Sequence, residues 1–215
     1  MDMRVAQLMA AAAERVVVAD GAMGTMLQQA GVTLADTDGH DGCNEVLNAT
    51  RPDIVRDVHE AFLAVGCDAV ETNTFGANLA NLGEYGIADR VREYSHAGAV
   101  IARAAADAWS TPQRPRWVIG SIGPGTRLPT LGQARYADLR DSYADQVAGL
   151  LTGGADMLLI ETAQDPLQAR AAVVGARRAM TALQQDLPVV VQITVETTGT
   201  MLLGTETPAA VAMRA

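Results

Sequence analysis

The sequence predicts an α/β fold, a parallel β-sheet covered by helices. Three observations predict it. Short apolar, β-branched runs alternate with helical stretches five times along 215 residues. No linker of changed composition separates two of these units. Hydrophobic residues make up 49% of the chain, enough for a substantial core, and with two Phe and two Trp that core falls to Val, Leu, Ile, Ala and Met.

Each element has a local reason. Residues 5–15 read as a short entrance helix; its LMAAAA run is too short to span a bilayer and is followed by Glu14 and Arg15. VVVA, residues 16–19, reads as a buried strand ending at Asp20. Residues 23–30 are helix-compatible, and the Gly- and Asp-rich stretch 31–42 is a loop. Pro52 opens a helix over 52–65, with Ile54, Val55, Val58, Ala61, Phe62 and Val65 on one face, and Gly66 stops it. DAVE, 68–71, is the second strand, followed by the loop TNTFGANLANLGEYG. An Ala-rich helix covers 87–109. The third strand, 117–122, is closed by GPG. A helix over 134–151, a strand over 157–161 and a helix over 166–183 follow. A fifth strand spans 188–193, then a polar excursion with a hairpin around Gly199, and Pro208 opens a last helix.

Two architectures fit this order, a doubly wound sheet and a (β/α)8 barrel. A dinucleotide site is disfavoured, because the first strand runs into DGAMG instead of GxGxxG and no suitably placed ribose-binding acid follows. In both architectures ligands bind at the C-terminal strand ends. Those ends deliver Asp20, Gly21, Gly24 and Thr25; Glu71, Thr72, Asn73 and Thr74; Ser121; Glu161 and Asp165; and Gln192 and Thr194.

Carboxylates at three ends, Asp20, Glu71 and Glu161, converge on one mouth. They repel one another unless a cation sits between them, an ammonium group or a metal. The plainer role for such an acid is to cap the next helix, and Asp165, directly before Pro166, suits it. The glycines of DGAMG allow tight turns and close approach of a ligand to the backbone. Amides around Gly24 and Thr25 would receive a carboxylate at a helix N-terminus. Acids at one end and amides at the other are how a site holds an amino-acid zwitterion.

Other chemistries find less support. The net charge is -9 with no basic cluster, which argues against nucleic-acid binding. No run of 18 apolar residues occurs, so the chain is expected to be cytoplasmic and free of the membrane. Cys43 and Cys67 are expected as separate reduced thiols, Cys67 before its strand at the wrong end for chemistry. His40, His59 and His96 lack metal-motif spacing and are expected at the surface or in helix packing. No GxSxG elbow is present, and Ser121, in GSIGPG, is expected in a turn.

The segments VVVADGAMGTMLQ, CNEVLNATRPDIVRDVHEAFLAVGCDAVETNTFGAN (43–78), GSIGPG (120–125) and GGADMLLIETAQD (153–165) together resemble the N-terminal homocysteine-binding domain of cobalamin-dependent methionine synthases, within the homocysteine S-methyltransferase family. The resemblance covers nearly the whole chain. It implies a TIM-type (β/α)8 barrel, of which residues 1–215 hold about the first five βα units, with 1–15 as the entrance helix. It implies that homocysteine is methylated to methionine at the expense of methylcobalamin. Zinc stabilises the homocysteine thiolate. Asp20, Gly21, Gly24, Thr25, Glu71, Asn73 and Glu161 are carried over as substrate-binding residues, with Glu161 receiving the ammonium. In the family the zinc ligands are three cysteines late in the barrel. Neither Cys43 nor Cys67 sits in a matching motif, so the metal ligands are expected outside this chain, which alone is expected to be inactive. Cobalamin- and folate-binding modules are the implied partners in the intact enzyme. The alternatives are a relative with another methyl donor, such as S-methylmethionine or betaine, and a non-catalytic partial barrel.

Overall fold

Side-chain parity along four parallel strands positions everything that follows. The structure, a computed structural model, describes residues 2–211. Strands β1 (Ala69–Glu71), β2 (Trp117–Ile122), β3 (Met157–Ala163) and β4 (Val189–Ile193) pair in chain order. Val70 lies opposite Val118, Gly120 opposite Leu158, and Leu159 opposite Val190. Sequential order is what a (β/α) barrel requires, and the doubly wound alternative falls away.

Successive side chains point to opposite faces of a strand. Val70, Val118, Leu158 and Ile160 join one core cluster with the covering helices. Ala69, Trp117, Ile119, Met157 and Leu159 join another, with Leu8 of α1 (Met3–Glu14). Helix α1 therefore closes the N-terminal end of the inner face. By the same parity Glu71, Ser121 and Glu161 belong to that inner face, at its opposite end.

Short helices α2 (Met23–Gln29) and α3 (Leu47–Thr50) precede the first long one, α4 (Pro52–Val65). Helix α4 starts on Pro52 and stops at Gly66, whose φ of 114° is open to glycine at little steric cost. Helix α5 (Leu79–Glu84) comes next, and then the outer layer continues with α6 (Val91–Trp109), α7 (Tyr136–Gly153) and α8 (Pro166–Leu183). Asp165 caps α8, accepting from the Leu167 amide at 2.8 Å and from the amide and hydroxyl of Thr130 at 2.9 and 2.7 Å.

Helices α6 and α7 touch backbone to backbone at Gly149. A Cβ there would lie 2.5 Å from the Arg92 carbonyl oxygen and 2.8 Å from the Ser95 Cβ. Gly149→Ala is expected to destabilise the protein by roughly 1–3 kcal/mol through overpacking. The urea-unfolding midpoint checks it; an unchanged midpoint would show that the helices separate freely.

Several expectations need correction. Residues 16–20 do not form a full strand: Ala19 makes an isolated parallel bridge to Ala69, and Val16 and Val18 are exposed. The cause is a side chain. The Val18 N–H, which would extend a ladder, is taken by the Asp68 carboxylate at 3.0 Å. The helix expected at 87–109 begins at Val91, after a 3-10 turn over Ala88–Arg90. The loop after β1 contains α5, started by Asn78, whose side chain accepts from the Ala80 and Asn81 amides. The excursion after β4 folds back through a Thr200–Glu206 bridge, close to the expected hairpin. Helix α9 (Thr207–Val211) begins one residue before Pro208, and its expected continuation lies outside the described residues.

The N-terminal end of the sheet is held by two buried aspartates, each paired with arginine. Asp156 accepts from Arg103 at 2.6 Å, from Arg4 at 2.9 Å and from the Val118 amide at 2.9 Å. Asp68 takes a bidentate contact from Arg15 at 2.7 and 3.0 Å, which holds its carboxyl below the usual range.

Candidate functional site

The other end of the sheet carries carboxylates without cations. A cleft of about 470 Å³ opens over the C-terminal strand ends. Five acids line it, Asp20, Glu45, Glu71, Glu84 and Glu161, with no arginine or histidine in its wall. Among the described residues none of Glu45, Glu71 and Glu161 has an Arg or His partner within ion-pair distance, in contrast to Asp68 and Asp156.

Asp20 follows the Ala19 bridge. Its Oδ1 accepts the Glu71 amide at 2.7 Å, tying the DGAMG turn to β1. The left-handed residue in that turn is Ala22, with φ 54°, and neither Gly21 nor Gly24 has a positive φ. A Cβ on Gly21 would meet nothing within 4 Å, and one on Gly24 would meet Asn44 Nδ2 at 3.6 Å. What Gly21 leaves is open cleft. Gly21 and Gly24 both line it, whereas Thr25 is exposed and lies outside the wall. Helix α2 has no side-chain cap on its first turn.

Glu71 ends β1. Burial, with Glu161 and then Asp20 adding like charge, pushes its carboxyl up to about 7. Its ordinary value is 4.5, so the folded protein holds this proton more tightly than the unfolded chain. The stability it contributes is complete below about 4.5 and is lost as pH rises to about 7. Glu71→Gln is expected to remove this slope. Thermal midpoints of variant and parent, followed across that window, check it; parallel curves would show that Glu71 titrates normally.

Glu161 sits where β3 departs from regular pairing. The register of β3 on β4 shifts between Ile160 and Ala163, and Thr162 takes φ 57°. A β-branched residue rarely adopts this conformation, and such strain concentrates at functional positions. The bulge re-aims the strand at Glu161. Ser121, expected in a turn, is instead an interior residue of β2, and its hydroxyl donates to Glu161 Oε1 at 2.6 Å.

Asn73 lines the cleft but spends both amide hydrogens on the scaffold, at 2.8 Å to the Asn44 carbonyl and 3.0 Å to Asn48 Oδ1. Its contribution is to fasten the loop that carries the wall. Thr72, Thr74 and Ser121 are cross-linked in the same way: Thr74 Oγ1 lies 2.6 Å from Thr72 Oγ1 and donates to the Ser121 carbonyl at 2.7 Å.

Sequence reasoning missed Glu45 and underrated His59. Glu45 lies in the 3-10 segment Asn44–Val46, is buried, and accepts the Gly76 amide at 2.7 Å; burial pushes its carboxyl up. The signal available was an acid directly followed by the apolar pair Val46 and Leu47 in NEVL. His59 is fully buried beside Asp20. His40 packs edge-on against Tyr85, and His96 contacts Thr152 at the surface. Cys43 and Cys67 are free and buried, and burial raises both thiols, Cys43 up to about 12. Among the described residues no three His, Cys, Asp or Glu side chains stand together as a metal centre needs, so these residues do not fit a resident zinc.

Fold and cleft define a (β/α)-barrel-type domain that presents unpaired carboxylates at its C-terminal mouth. The chain belongs to the homocysteine S-methyltransferase family, whose model matches residues 17–215. It is 57% identical over 200 residues to a methionine synthase of Mycobacterium leprae (strain TN), spanning 93% of this chain and 17% of that protein. It is also 57% identical over 197 residues to a methionine synthase of Mycobacterium tuberculosis (strain ATCC 25618 / H37Rv), spanning 92% and 16%. The chain thus spans less than a fifth of the length of these relatives. Among solved structures it resembles the homocysteine methyltransferase MmuM from Escherichia coli. The metallated form superposes with a TM-score of 0.74 at 21% identity, covering 97% of this chain and 73% of that one. The oxidized form gives 0.75 at 22% identity, covering 95% and 71%. At this identity the likeness concerns the fold. No helix among the described residues is long and apolar enough to cross a membrane.

Proposed function

We propose that this chain supplies the homocysteine-binding half-site of a methyltransferase that makes methionine. The observation that carries the reading is the contrast between the two ends of the sheet. Buried acids at the base have arginine partners, and those at the mouth have none among the described residues. Carboxylates so placed call for a cation, and the ammonium group of an amino acid supplies one. Glu161, held by Ser121, and Asp20, held by the Glu71 amide, receive that ammonium, with Glu71 beside them. The open backbone at Gly21 and Gly24 receives the substrate carboxylate, and Thr25, exposed and outside the wall, takes no part in that contact. Asn73 keeps the wall in place.

Zinc would stabilise the substrate thiolate. Since the described residues do not fit the metal, we assign its ligands to residues outside them and derive no step through it. Exposed Val190 and Val191 on β4, together with the 73% coverage of the MmuM chain, support reading residues 1–215 as the N-terminal part of a longer barrel. The 57% identity to methionine synthases, of which this chain spans less than a fifth, supports methionine as the product and further modules beyond this domain; methylcobalamin as donor and cobalamin- and folate-binding modules as partners rest on the motif resemblance alone. Free thiols at Cys43 and Cys67 agree with a cytoplasmic enzyme.

Proton release on binding tests the reading. A cation beside Glu71 favours its charged form, so between about pH 4.5 and about 7 homocysteine binding to the full-length protein is expected to release more protons than binding to its Glu71→Gln variant, the thiol's own proton being common to both. Calorimetry in buffers of different ionisation enthalpy measures it. Equal proton release by parent and variant in that window would place the ammonium elsewhere.

A further inference from the structure

His59 projects from α4 into the protein interior with no exposure at all, and neither ring nitrogen has a hydrogen-bond partner. Buried polar atoms are nearly always satisfied, and an imidazole left unanswered is a poor packing residue. An apolar ring of the same size would fill that space without loss. The charged group facing it is Asp20, whose Oδ2 lies 3.8 Å from His59 Nδ1.

Asp20 has one oxygen fixed and one not. Oδ1 is held by the Glu71 amide at 2.7 Å, and the side chain is 3% exposed. Cys67 also lies close enough for Asp20 to raise its thiol, but its sulfur is directed at the Ala19 carbonyl oxygen, 3.6 Å away. That leaves Oδ2 to the imidazole. A separation of 3.8 Å is not a hydrogen bond, and closing by about 1 Å makes one. With Oδ1 as pivot, a small turn of the carboxylate achieves it.

We propose that His59 is a positioning residue for Asp20: Nδ1–H donates to Oδ2 when the cleft is occupied and fixes the carboxylate in the orientation that accepts the substrate ammonium. The inference rests on the reading of Asp20 as an ammonium contact. His59 touches no substrate and acts through Asp20. Its loss should weaken homocysteine binding without slowing the chemical step.

The test uses the full-length protein. His59→Phe keeps a ring and removes both nitrogens; His59→Asn keeps a donor near the place of Nδ1. The Phe variant is expected to raise the homocysteine KM about tenfold at unchanged kcat, the loss of one hydrogen bond to a charged group. The Asn variant is expected to recover most of it. In an Asp20→Asn background the Phe change should add less than about twofold, since coupled residues are not additive. Equal KM values for parent and Phe variant, or identical losses in the Phe and Asn variants, would overturn the proposal. A crystal structure of the unmutated protein with homocysteine gives a second readout that no folding defect touches. A His59–Asp20 separation of about 2.7–3.2 Å supports the pair, and a separation still at 3.8 Å overturns it. A short pair with the ammonium bound away from Asp20 would instead refute the role given to Asp20 in the proposed function and leave the pair standing.

Discussion

Replacing Glu161 by Gln is expected to weaken homocysteine binding to the full-length protein about ten- to a hundredfold. A hydrogen bond to a charged group is worth roughly 1.5–3 kcal/mol, and Gln removes the charge while keeping the shape. The fold should be indifferent to the change. The Ser121 hydroxyl donates to Glu161 Oε1, and a Gln carbonyl oxygen accepts the same bond. Affinity should therefore fall with no loss of thermal midpoint, since removing one of the mutually repelling acids does not cost stability. An unchanged affinity would assign Glu161 to the scaffold, and the strained Thr162 beside it would then serve the β3 bulge alone.

Asp156→Ala is expected to have the largest effect on stability, about 3 kcal/mol, because it removes the buried partner of Arg103 and leaves that guanidinium only the exposed Asp107 at 2.8 Å. Asp156 is 1% exposed and the Arg103 side chain 11%. Arg4, the other partner, is 43% exposed, and Arg4→Ala should cost less than about 1 kcal/mol. Asp156 also accepts the Val118 amide, so its loss opens the base of β2. Denaturant unfolding of both variants measures the difference. Equal small losses would show that water reaches this cluster and screens it.

The base and mouth of the sheet differed in how much their sequence revealed. Helices α4 and α8 were legible to the residue, because Pro52 and Pro166 fix their starts and Gly66 fixes the end of α4. Strand cores were legible from β-branched runs, and the convergence of Asp20, Glu71 and Glu161 followed from parallel strands alone. What was not legible depends on side chains meeting across long separations. The 16–20 strand gave way because Asp68 intercepts the Val18 amide. Strand β3 runs past Glu161 because a left-handed Thr162 lets pairing resume at Ala163. Ser121 read as a turn residue because GPG follows closely, yet Ile122 still lies within β2. Asn73 read as a polar pocket residue, but its donors are consumed by partners 25 and 29 positions away. Glu45 was missed, since only folding brings the Gly76 amide to it.

The account turns on an ammonium group lying among the cleft acids. The most direct measurement is the affinity of the full-length protein for homocysteine against its desamino analogue, 4-mercaptobutanoate, by calorimetry under identical metal and buffer conditions. Both carry the thiol and the carboxylate, and they differ in the ammonium. The account predicts that the desamino analogue binds at least about tenfold more weakly, since it leaves Asp20, Glu71 and Glu161 facing one another without a counter-charge. Equal affinity for the two compounds would contradict it.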